Sequence, residues 1–155
     1  MEDLLMFQPH GTSRMSVEDV HALGSVVYFI FAENELLYVG QSKNFKHRMK
    51  MHRARFNEEA ELIGDDRLRR LSVTAFSVPS EKLDEVEYYY IRKFLPPYNK
   101  DYLPEEIFEA HRKVRIAKLE VVMAQIELEE AIVEYHRKNG GRYEEMARSR
   151  PEETS

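Results

Sequence analysis

Hydrophobic and polar residues follow one another along the chain in segments that predict alternating strands and helices. Two runs of β-branched and aromatic residues, at 26–31 and 36–39, are separated by the polar sequence AENE, a pattern typical of a β-hairpin. A third run, at 71–78, stops at Pro79 and predicts another strand. We therefore expect a small mixed α/β (α+β) domain with a three-stranded antiparallel sheet flanked by helices.

Segments with the apolar spacing of helices lie before, between and after these strands. SVEDVHAL predicts a short leading helix with Ser16 as its N-cap, and Asn44 is the expected cap of a longer helix after the hairpin. The longer helix has one apolar face, formed by Phe45, Met49, His52 and Phe56. Ser80 is the expected cap of a further helix, which the prolines of PPYN terminate.

A much longer helix is predicted at residues 104–138, which would span about 50 Å. It carries two apolar stripes on nearly opposite sides. The first repeats every seven residues and consists of Ile107, Val114, Val121, Leu128 and Tyr135, with alanines along one edge. The second consists of Ile116, Leu119, Met123, Ile126 and Val133. We expect one stripe to pack on the domain and the other on a second subunit, which predicts a homodimer or a helical protein partner.

These patterns divide the chain into four parts. Residues 1–23 are expected to form an N-terminal arm and a short helix, and residues 24–102 the compact domain. Residues 103–139 provide the long helix for dimerisation or partner binding, and residues 140–155 a flexible tail.

The composition excludes several classes of protein. The chain contains no cysteine, which rules out disulfides, a thiolate nucleophile and cysteine-based zinc sites. No stretch approaches the about 18 uncharged apolar residues of a membrane-spanning helix, and the N-terminus begins acidic without an apolar core. We therefore expect a cytoplasmic protein.

Positive charge is concentrated in one segment of an acidic protein. The net charge is −5, yet residues 43–55 contain six Lys and Arg residues and no carboxylate. The remaining 17 basic and 28 acidic residues leave the rest of the chain at about −11. This distribution predicts a confined site for a polyanion, with a solvated helix face as the alternative.

One carboxylate falls inside the apolar stripe of its predicted helix. The stripe consists of Leu83, Val86, Tyr90 and Phe94. The other carboxylates of this helix point away from the stripe: Glu81, Asp84 and Glu85. Because a carboxylate removed from water needs a partner, Glu87 predicts a bound cation, an arginine partner or a bordering cleft. The alternative is a carboxylate that reaches solvent at the edge of the stripe.

Two further side chains lie at the rim of the first long helix. Arg48 and His52 are four residues apart and can lean into the same cleft. Taken singly, Arg48 could equally be a solvated residue and His52 a histidine at the edge of the core. Tyr28 and Tyr38 lie in the hairpin, where β-propensity alone would favour them.

Considered together, these residues follow a recognisable order and spacing. Ten residues separate the tyrosine of VVY from that of YVG, ten more lead to Arg48, and twelve separate Glu87 from the asparagine of PPYN. This set, with its strands and helices in the same order, resembles the GIY-YIG nuclease domain family over residues 26–99. The resemblance implies a metal-dependent endonuclease.

The resemblance implies roles for the residues of the hairpin. Tyr28 and Tyr38 correspond to the two motif tyrosines, and Gly40 to the glycine that lets phosphate approach the end of the strand. Val26 replaces the glycine that gives the motif its name, and Gln41 replaces a lysine found in some members. The latter change removes one phosphate contact and argues against close kinship with the bacterial excision-repair nucleases.

The resemblance also implies roles for the helical residues. Arg48 corresponds to the essential arginine and His52 to a histidine found in part of the family. Glu87 corresponds to the single metal-binding carboxylate, and Asn99 to an asparagine that helps to hold the site.

The implied reaction is phosphodiester hydrolysis with Mg²⁺ or Mn²⁺ held by Glu87, each active site nicking one strand. Arg48 would bind the scissile phosphate, and the Tyr28 hydroxyl would act as the base, with His52 or Tyr38 relaying the proton. DNA is the expected substrate, with RNA as an alternative. The expected nucleic-acid contacts are Gly40, Gln41, Lys43, Lys46, Lys50, Arg53 and Arg55. The competing hypothesis is a catalytically inactive nucleic-acid-binding or scaffold protein that acts through its long helix.

Overall fold

The structure, a computed structural model, describes the backbone of residues 1–148 and the side chains of residues 1–140. Its regular elements are α1 (Val17–Ala22), β1 (Val26–Ala32), β2 (Glu35–Ser42), α2 (Phe45–Ile63), β3 (Leu71–Ser77), α3 (Leu83–Phe94) and α4 (Glu105–Arg148). The strands form one antiparallel sheet in the order β2-β1-β3. The predicted three-stranded sheet with flanking helices is therefore confirmed.

The central strand β1 separates two hydrophobic cores. All seven of its residues are buried, which explains why its sequence is uniformly apolar. Side chains alternate between the two faces of a strand, so Tyr28 and Ile30 pack on the side of α2, whereas Phe29 and Phe31 pack on the side of α3.

Strand β2 carries a β-bulge at Leu37. The strands are joined by a two-residue turn, and Phe31 pairs with Leu36 but Ile30 pairs with Tyr38. Leu37 is therefore an extra residue, and Leu37 and Tyr38 both pack on the α2 side of the sheet. The carbonyl of Leu37 accepts a hydrogen bond of 3.1 Å from the Tyr98 N–H, which attaches the segment after α3.

Helix α2 has the predicted cap and the predicted buried face. The Asn44 side chain accepts a hydrogen bond from the His47 N–H, and Phe45, Met49, His52 and Phe56 are all buried. The helix ends at Gly64, which has a φ of 65° in the left-handed region. In the same way, Ser16 caps α1 by accepting a hydrogen bond from the Asp19 N–H.

Two predicted element boundaries are wrong. Strand β2 does not stop at Val39, because Gly40 and Gln41 continue the ladder by pairing with residues of β1. Ser80 does not cap α3, because it begins a 3₁₀ turn closed by the Lys82 N–H on the Pro79 carbonyl at 2.8 Å. The α-helix starts after this turn.

The N-terminal arm is attached to the domain by aromatic residues. The Phe7 ring stacks on Phe29 and Phe76 at centroid distances of 5.5 and 4.6 Å. The Tyr90 hydroxyl donates to the Leu4 carbonyl at 2.8 Å and accepts from the Phe7 N–H at 3.0 Å. The first residues therefore cover the α3 side of the sheet rather than forming a free arm.

The first turns of α4 contact the domain through ion pairs and through Leu119, which packs against the core on the α2 side of the sheet. Arg115 pairs with Glu59 at 2.8 Å and Lys118 pairs with Asp65 at 3.1 Å. The half-buried positions of these turns include Ile107, His111, Arg115, Lys118, Leu119 and Val122. Neither predicted apolar stripe as a whole faces the domain, so that expectation is wrong. The ion pairs fix the rotation of the helix and leave most of both stripes exposed.

Non-helical backbone angles at Asn139 interrupt α4 at the point where the predicted long helix ended. A second helical segment follows this kink and reaches Arg148, within the stretch that was expected to be a flexible tail. Residues 149–155 of the predicted tail lie outside the described residues. In the part of the chain that the structure describes, none of the helices has the combination of length and apolarity needed to cross a membrane.

Candidate active site

A tyrosine and a histidine meet between the sheet and α2. The Tyr28 hydroxyl lies 2.7 Å from the His52 Nε2 atom, and both side chains are buried. The Tyr38 ring adjoins the pair, with its centroid 4.7 Å from that of His52. The bulge at Leu37 is what brings Tyr38 to the same face as Tyr28.

Gly40 makes room for the two tyrosine rings. It pairs with Tyr28 across the hairpin, and a Cβ atom at this position would lie 2.5 Å from the Tyr28 hydroxyl. The same atom would lie 2.7 Å from the Tyr38 ring. The structure thus gives Gly40 a steric role in shaping the site, and the predicted approach of phosphate to this residue stays a prediction.

Arg48 lies one helical turn before His52, beside the two phenols. Its interactions with Tyr28 and Tyr38 raise the pKa of the guanidinium, Tyr28 contributing most. The side chain is otherwise exposed, as expected for a cation that must reach a ligand from solvent. The sequence prediction that Arg48 and His52 lean into one cleft agrees with this arrangement.

Burial sets the protonation states of the aromatic groups. It raises the pKa of Tyr28 well above its ordinary value, an effect that the charge of Arg48 opposes only in part. Burial, helped by the charges of Arg48 and Arg55, lowers the pKa of His52 to about 4. At neutral pH the phenol is therefore protonated and the imidazole neutral. In the tautomer that carries its proton on Nδ1, His52 Nε2 accepts the hydrogen bond of the Tyr28 hydroxyl.

Glu87 borders the site from α3 and is half-buried. The pKa of its carboxyl is raised, chiefly by burial and further by the charge of Asp84. A hydrogen bond from the Gln41 amide and the charge of Arg48 act in the opposite direction. The carboxylate also acts electrostatically on Tyr28 and Tyr38. Glu87 and Arg48 are therefore near enough to Tyr28 and Tyr38 to act on them electrostatically, which places the four groups in one part of the structure.

The sequence interpretation missed one acidic residue of this site. Asp84, expected to point away from the stripe, accepts a hydrogen bond of 2.6 Å from the Gln41 Nε2 atom. Gln41 therefore lies between the carboxylates of Asp84 and Glu87. The three-residue spacing of these acids on one helix was the available signal, because residues three apart are neighbours on a helix surface.

Asn99 holds the strand rather than lining the cleft. Its Oδ1 accepts from the Val39 N–H at 2.9 Å, and its Nδ2 donates to the Val39 carbonyl at 2.8 Å. Because β2 is an edge strand, these backbone groups face no neighbouring strand. Asn99 thus fixes the backbone between Tyr38 and Gly40.

The cations of α2 are divided between two flanks of the helix. Arg55 lies on the flank of the site, where it lowers the pKa of His52 and stands over the Tyr98 ring at 5.8 Å. Arg53 lies on the other flank, beside residues of α1 and β3. All the predicted backbone contacts are exposed: Lys43, Lys46, Lys50, Arg53 and Arg55.

The oxygen donors at α3 suit a hard divalent cation. Within the described residues, no group of three or more His, Asp or Glu side chains is arranged to hold a metal ion. Mg²⁺, however, keeps much of its water and is commonly held by one or two carboxylates together with substrate phosphate. The half-buried carboxylate of Glu87, with Asp84 beside it, fits that requirement.

Comparison with protein families matches residues 24–100 to the GIY-YIG catalytic domain. Searches of curated proteins and of solved structures give no significant match. The matched range contains β1, β2, α2, β3 and α3 and every side chain of the cleft described above. Through residues 24–100, this chain belongs to the GIY-YIG catalytic domain family.

Proposed function

We propose that this protein is a divalent-metal-dependent DNA endonuclease that nicks one strand per active site. GIY-YIG domains are nuclease domains of the endonuclease type. The observation that carries the proposal is the half-buried Glu87 carboxylate facing Arg48 and the hydrogen-bonded pair of Tyr28 and His52 across one cleft. This arrangement offers a cation site, a phosphate ligand and a proton path at the same place.

The Arg48 guanidinium binds the scissile phosphate. Its forked donors match two phosphate oxygens, and it stays charged at every physiological pH. During attack, negative charge grows on the phosphorane, and a fixed cation at this point stabilises it. The phenols of Tyr28 and Tyr38 lie beside the same guanidinium and orient it.

The Tyr28–His52 pair removes the proton of the attacking water. Because burial disfavours a free phenolate, Tyr28 accepts the proton of water as its own proton passes to His52 Nε2. The water oxygen bonds to phosphorus and the bond to the leaving 3′-oxygen breaks. The leaving oxygen takes up a proton from solvent, and the products are a phosphate monoester and an alcohol. The imidazole, neutral at the start, carries the proton and returns it to solvent.

Glu87 holds Mg²⁺ or Mn²⁺, with the Gln41 amide orienting its carboxylate and Asp84 adding negative charge. When bound, the cation supplies Lewis-acid stabilisation of the phosphate and of the leaving oxygen.

The exposed cations in and just before α2 bind the nucleic-acid backbone. Arg55 lies on the flank of the site. The contact extends through Lys46, Lys50 and Arg53 along the helix and through Lys43 just before it. Such contacts are independent of sequence and weaken as salt increases.

The projecting part of α4 pairs with a second copy of the chain. From Met123 to Tyr135 its large apolar side chains are about half exposed or more, which is costly for a helix alone in water. A dimer would bring two nicking sites to one duplex. Sedimentation of the full chain and of a Val121→Lys/Leu128→Lys variant tests this: a dimer that the variant dissociates is expected, and a monomeric parent chain would refute it.

The activity is tested by incubating supercoiled plasmid, a branched DNA and an unstructured RNA with the protein and Mg²⁺ or Mn²⁺. We expect nicking of DNA that Glu87→Gln and Arg48→Ala abolish while circular dichroism stays unchanged. The matched controls are Glu85→Gln, an exposed carboxylate of α3, and Arg69→Ala, an exposed arginine outside the cleft. Both should cleave like the parent.

The alternative function, an inactive binding or scaffold protein acting through α4, predicts a different result. In that case no substrate is cut at any metal concentration, whereas DNA or protein binding persists in the Glu87→Gln variant. Cleavage that needs no divalent metal would also contradict the proposed mechanism.

A further inference from the structure

A cavity of about 280 Å³ lies between the nuclease domain and the first turns of α4, away from the catalytic cleft. Its volume is near the lower end of the range of pockets that bind small molecules. Its walls come from β2, from the end of α2 and the turn after it, from the segment after α3, and from α4. The apolar part of the wall includes Leu37, Leu68, Tyr98, Phe108 and Val114.

The rim of this cavity is rich in positive charge. Among the described residues it carries five Lys and Arg side chains against the two carboxylates of Glu35 and Asp65. Three of these cations are already engaged: Arg67 and Lys118 with Asp65, and Arg115 with Glu59. The remaining two are Lys100 and Arg112.

Lys100 and Arg112 are the cations available to a ligand. Within residues 1–140, Lys100 forms no ion pair, and its side chain is exposed at the rim. Arg112 pairs with Glu109 on its own helix at 3.2 Å, an exposed contact of the kind that contributes little and is readily exchanged. Both can therefore bind an anion without breaking the ion pairs that attach α4.

We propose that this cavity binds a small planar anion of the size of a nucleoside monophosphate. The flat ring packs against Tyr98 and Phe108, where aromatic faces favour stacking. The anionic group binds Lys100 and Arg112 at the rim. A phosphate without a ring lacks the apolar contacts, and a ring without an anion lacks the charge partners.

The cavity is connected to the catalytic site through the backbone. Leu37 of its wall directly precedes Tyr38, and Tyr98 directly precedes Asn99, which is bound to Val39. The Tyr98 N–H and the Leu37 carbonyl are joined at 3.1 Å. A ligand here touches the neighbours of two site residues and joins α4 to the domain.

The binding test uses the full-length chain without metal or nucleic acid, so its result does not depend on nuclease activity. Calorimetric titrations compare adenosine 5′-monophosphate, benzoate, adenosine and inorganic phosphate. We expect at least one of the two planar anions to bind about tenfold or more tightly than adenosine or phosphate, since a charge-assisted contact commonly contributes that much. The tighter binder of the two shows whether the ligand's anionic group is a phosphate, as in adenosine 5′-monophosphate, or a carboxylate, as in benzoate.

Rim variants locate the site. Lys100→Ala and Arg112→Ala should each weaken binding by about tenfold. Lys113→Ala is the matched control, because this exposed lysine of α4 is next in sequence to Arg112 but does not line the cavity. Circular dichroism confirms that the variants are folded.

A tryptophan reporter gives an independent readout. The chain contains no tryptophan, so Phe108→Trp introduces a single fluorophore at the cavity wall, and Tyr135→Trp introduces one far along α4. The ligand should change the emission of the first and not of the second. Absence of binding by both planar anions at millimolar concentration, or equal loss in Lys113→Ala, overturns the proposal. Binding of phosphate as tight as that of the planar anions overturns it as well.

Discussion

The Tyr28 hydroxyl and the His52 imidazole form a hydrogen bond of 2.7 Å, and both side chains are buried. A buried pair of this kind keeps one protonation state in each partner, since charging either would be costly. In the proposed mechanism this pair carries one proton, and Arg48 and Glu87 act on it electrostatically.

Tyr28→Phe and His52→Gln should each slow single-turnover cleavage by about 10²- to 10⁴-fold, the range expected for loss of an acid–base group. Glutamine can accept the hydrogen bond of the phenol but cannot take up its proton, so this variant separates structure from chemistry. The double variant should be no slower than the slower single variant, because both substitutions break the same path. A double variant whose loss equals the two single losses combined would contradict a shared proton path.

The stability of the protein should fall between neutral and acidic pH because of His52. Its pKa in the folded protein is about 4 against an ordinary value of 6.5, so the unfolded chain takes up the proton first as pH falls. The contribution of His52 to the free energy of unfolding is fully present above pH 6.5. About 3 kcal/mol of it is lost as pH falls toward 4.

Urea denaturation at pH 7, 5.5 and 4.5 measures the effect. The raised pKa of Glu87 has the opposite sign, since its contribution is present at low pH and is lost as pH rises. The comparison is therefore made with His52→Gln, whose stability should depend less on pH over this range. Parallel curves for the parent and the variant would refute the assignment to His52.

Gly40→Ala should disable the site while leaving the fold in place. The new methyl group would lie 2.5 Å from the Tyr28 hydroxyl and would displace the phenol from His52. Overpacking of this kind costs about 1–3 kcal/mol of stability. Gly11→Ala is the control, since its Cβ would meet its nearest neighbour at an ordinary 3.9 Å. Thermal unfolding and plasmid nicking should separate the two variants, and nicking by Gly40→Ala at the parent rate would disprove the steric role.

Asn99→Ala should destabilise the domain by about 2 kcal/mol, because two hydrogen bonds to Val39 are lost at an edge strand. Asn99→Asp should be no better at neutral pH. Its carboxylate can accept from the Val39 N–H but offers no donor to the Val39 carbonyl. Equilibrium unfolding measures both variants, and an Asp variant as stable as the parent would show that the donor half of the pair contributes nothing.

Gly64→Ala should be more destabilising than Gly24→Ala, although both glycines have positive φ. The conformation costs each variant about 1–2 kcal/mol. At Gly24 the added methyl group meets no atom within 4 Å, whereas at Gly64 it would lie 2.7 Å from Val122 Cγ2 on α4. Adding Val122→Ala should recover the difference, as measured by urea denaturation. No recovery would indicate that the contact with α4 is not the cause.

Sequence pattern predicted the elements whose periodicity is regular. The apolar run at 26–31 indicated a hairpin strand, and the spacing from Phe45 to Phe56 indicated the buried face of α2. The order and spacing of the site residues indicated the protein family. Tyr28, Arg48 and Glu87 lie on three separate elements, which only the folded domain brings together.

Features that depend on long-range contacts escaped prediction. Asp84 joins the site through a hydrogen bond from Gln41, 43 residues away. Its three-residue spacing from Glu87 was a local signal, but the partner that holds it lies on another element. The rotation of α4 is set by ion pairs to Glu59 and Asp65, whereas the sequence argument considered only its apolar stripes. The attachment of the arm depends on Tyr90, whose hydroxyl lies close to residues more than 80 positions earlier.

The extra residue at position 37 shifts the pairing of β1 and β2 by one residue and so decides which face of the sheet Tyr38 occupies. With a two-residue turn and a regular ladder, tyrosines ten positions apart would lie on opposite faces of the sheet, one toward each core. A three-residue turn would restore the common face without any irregularity. The ten-residue interval between the tyrosines therefore places them on one face only because the bulge adds a residue to β2. The carbonyl of that extra residue, Leu37, also anchors the chain after α3.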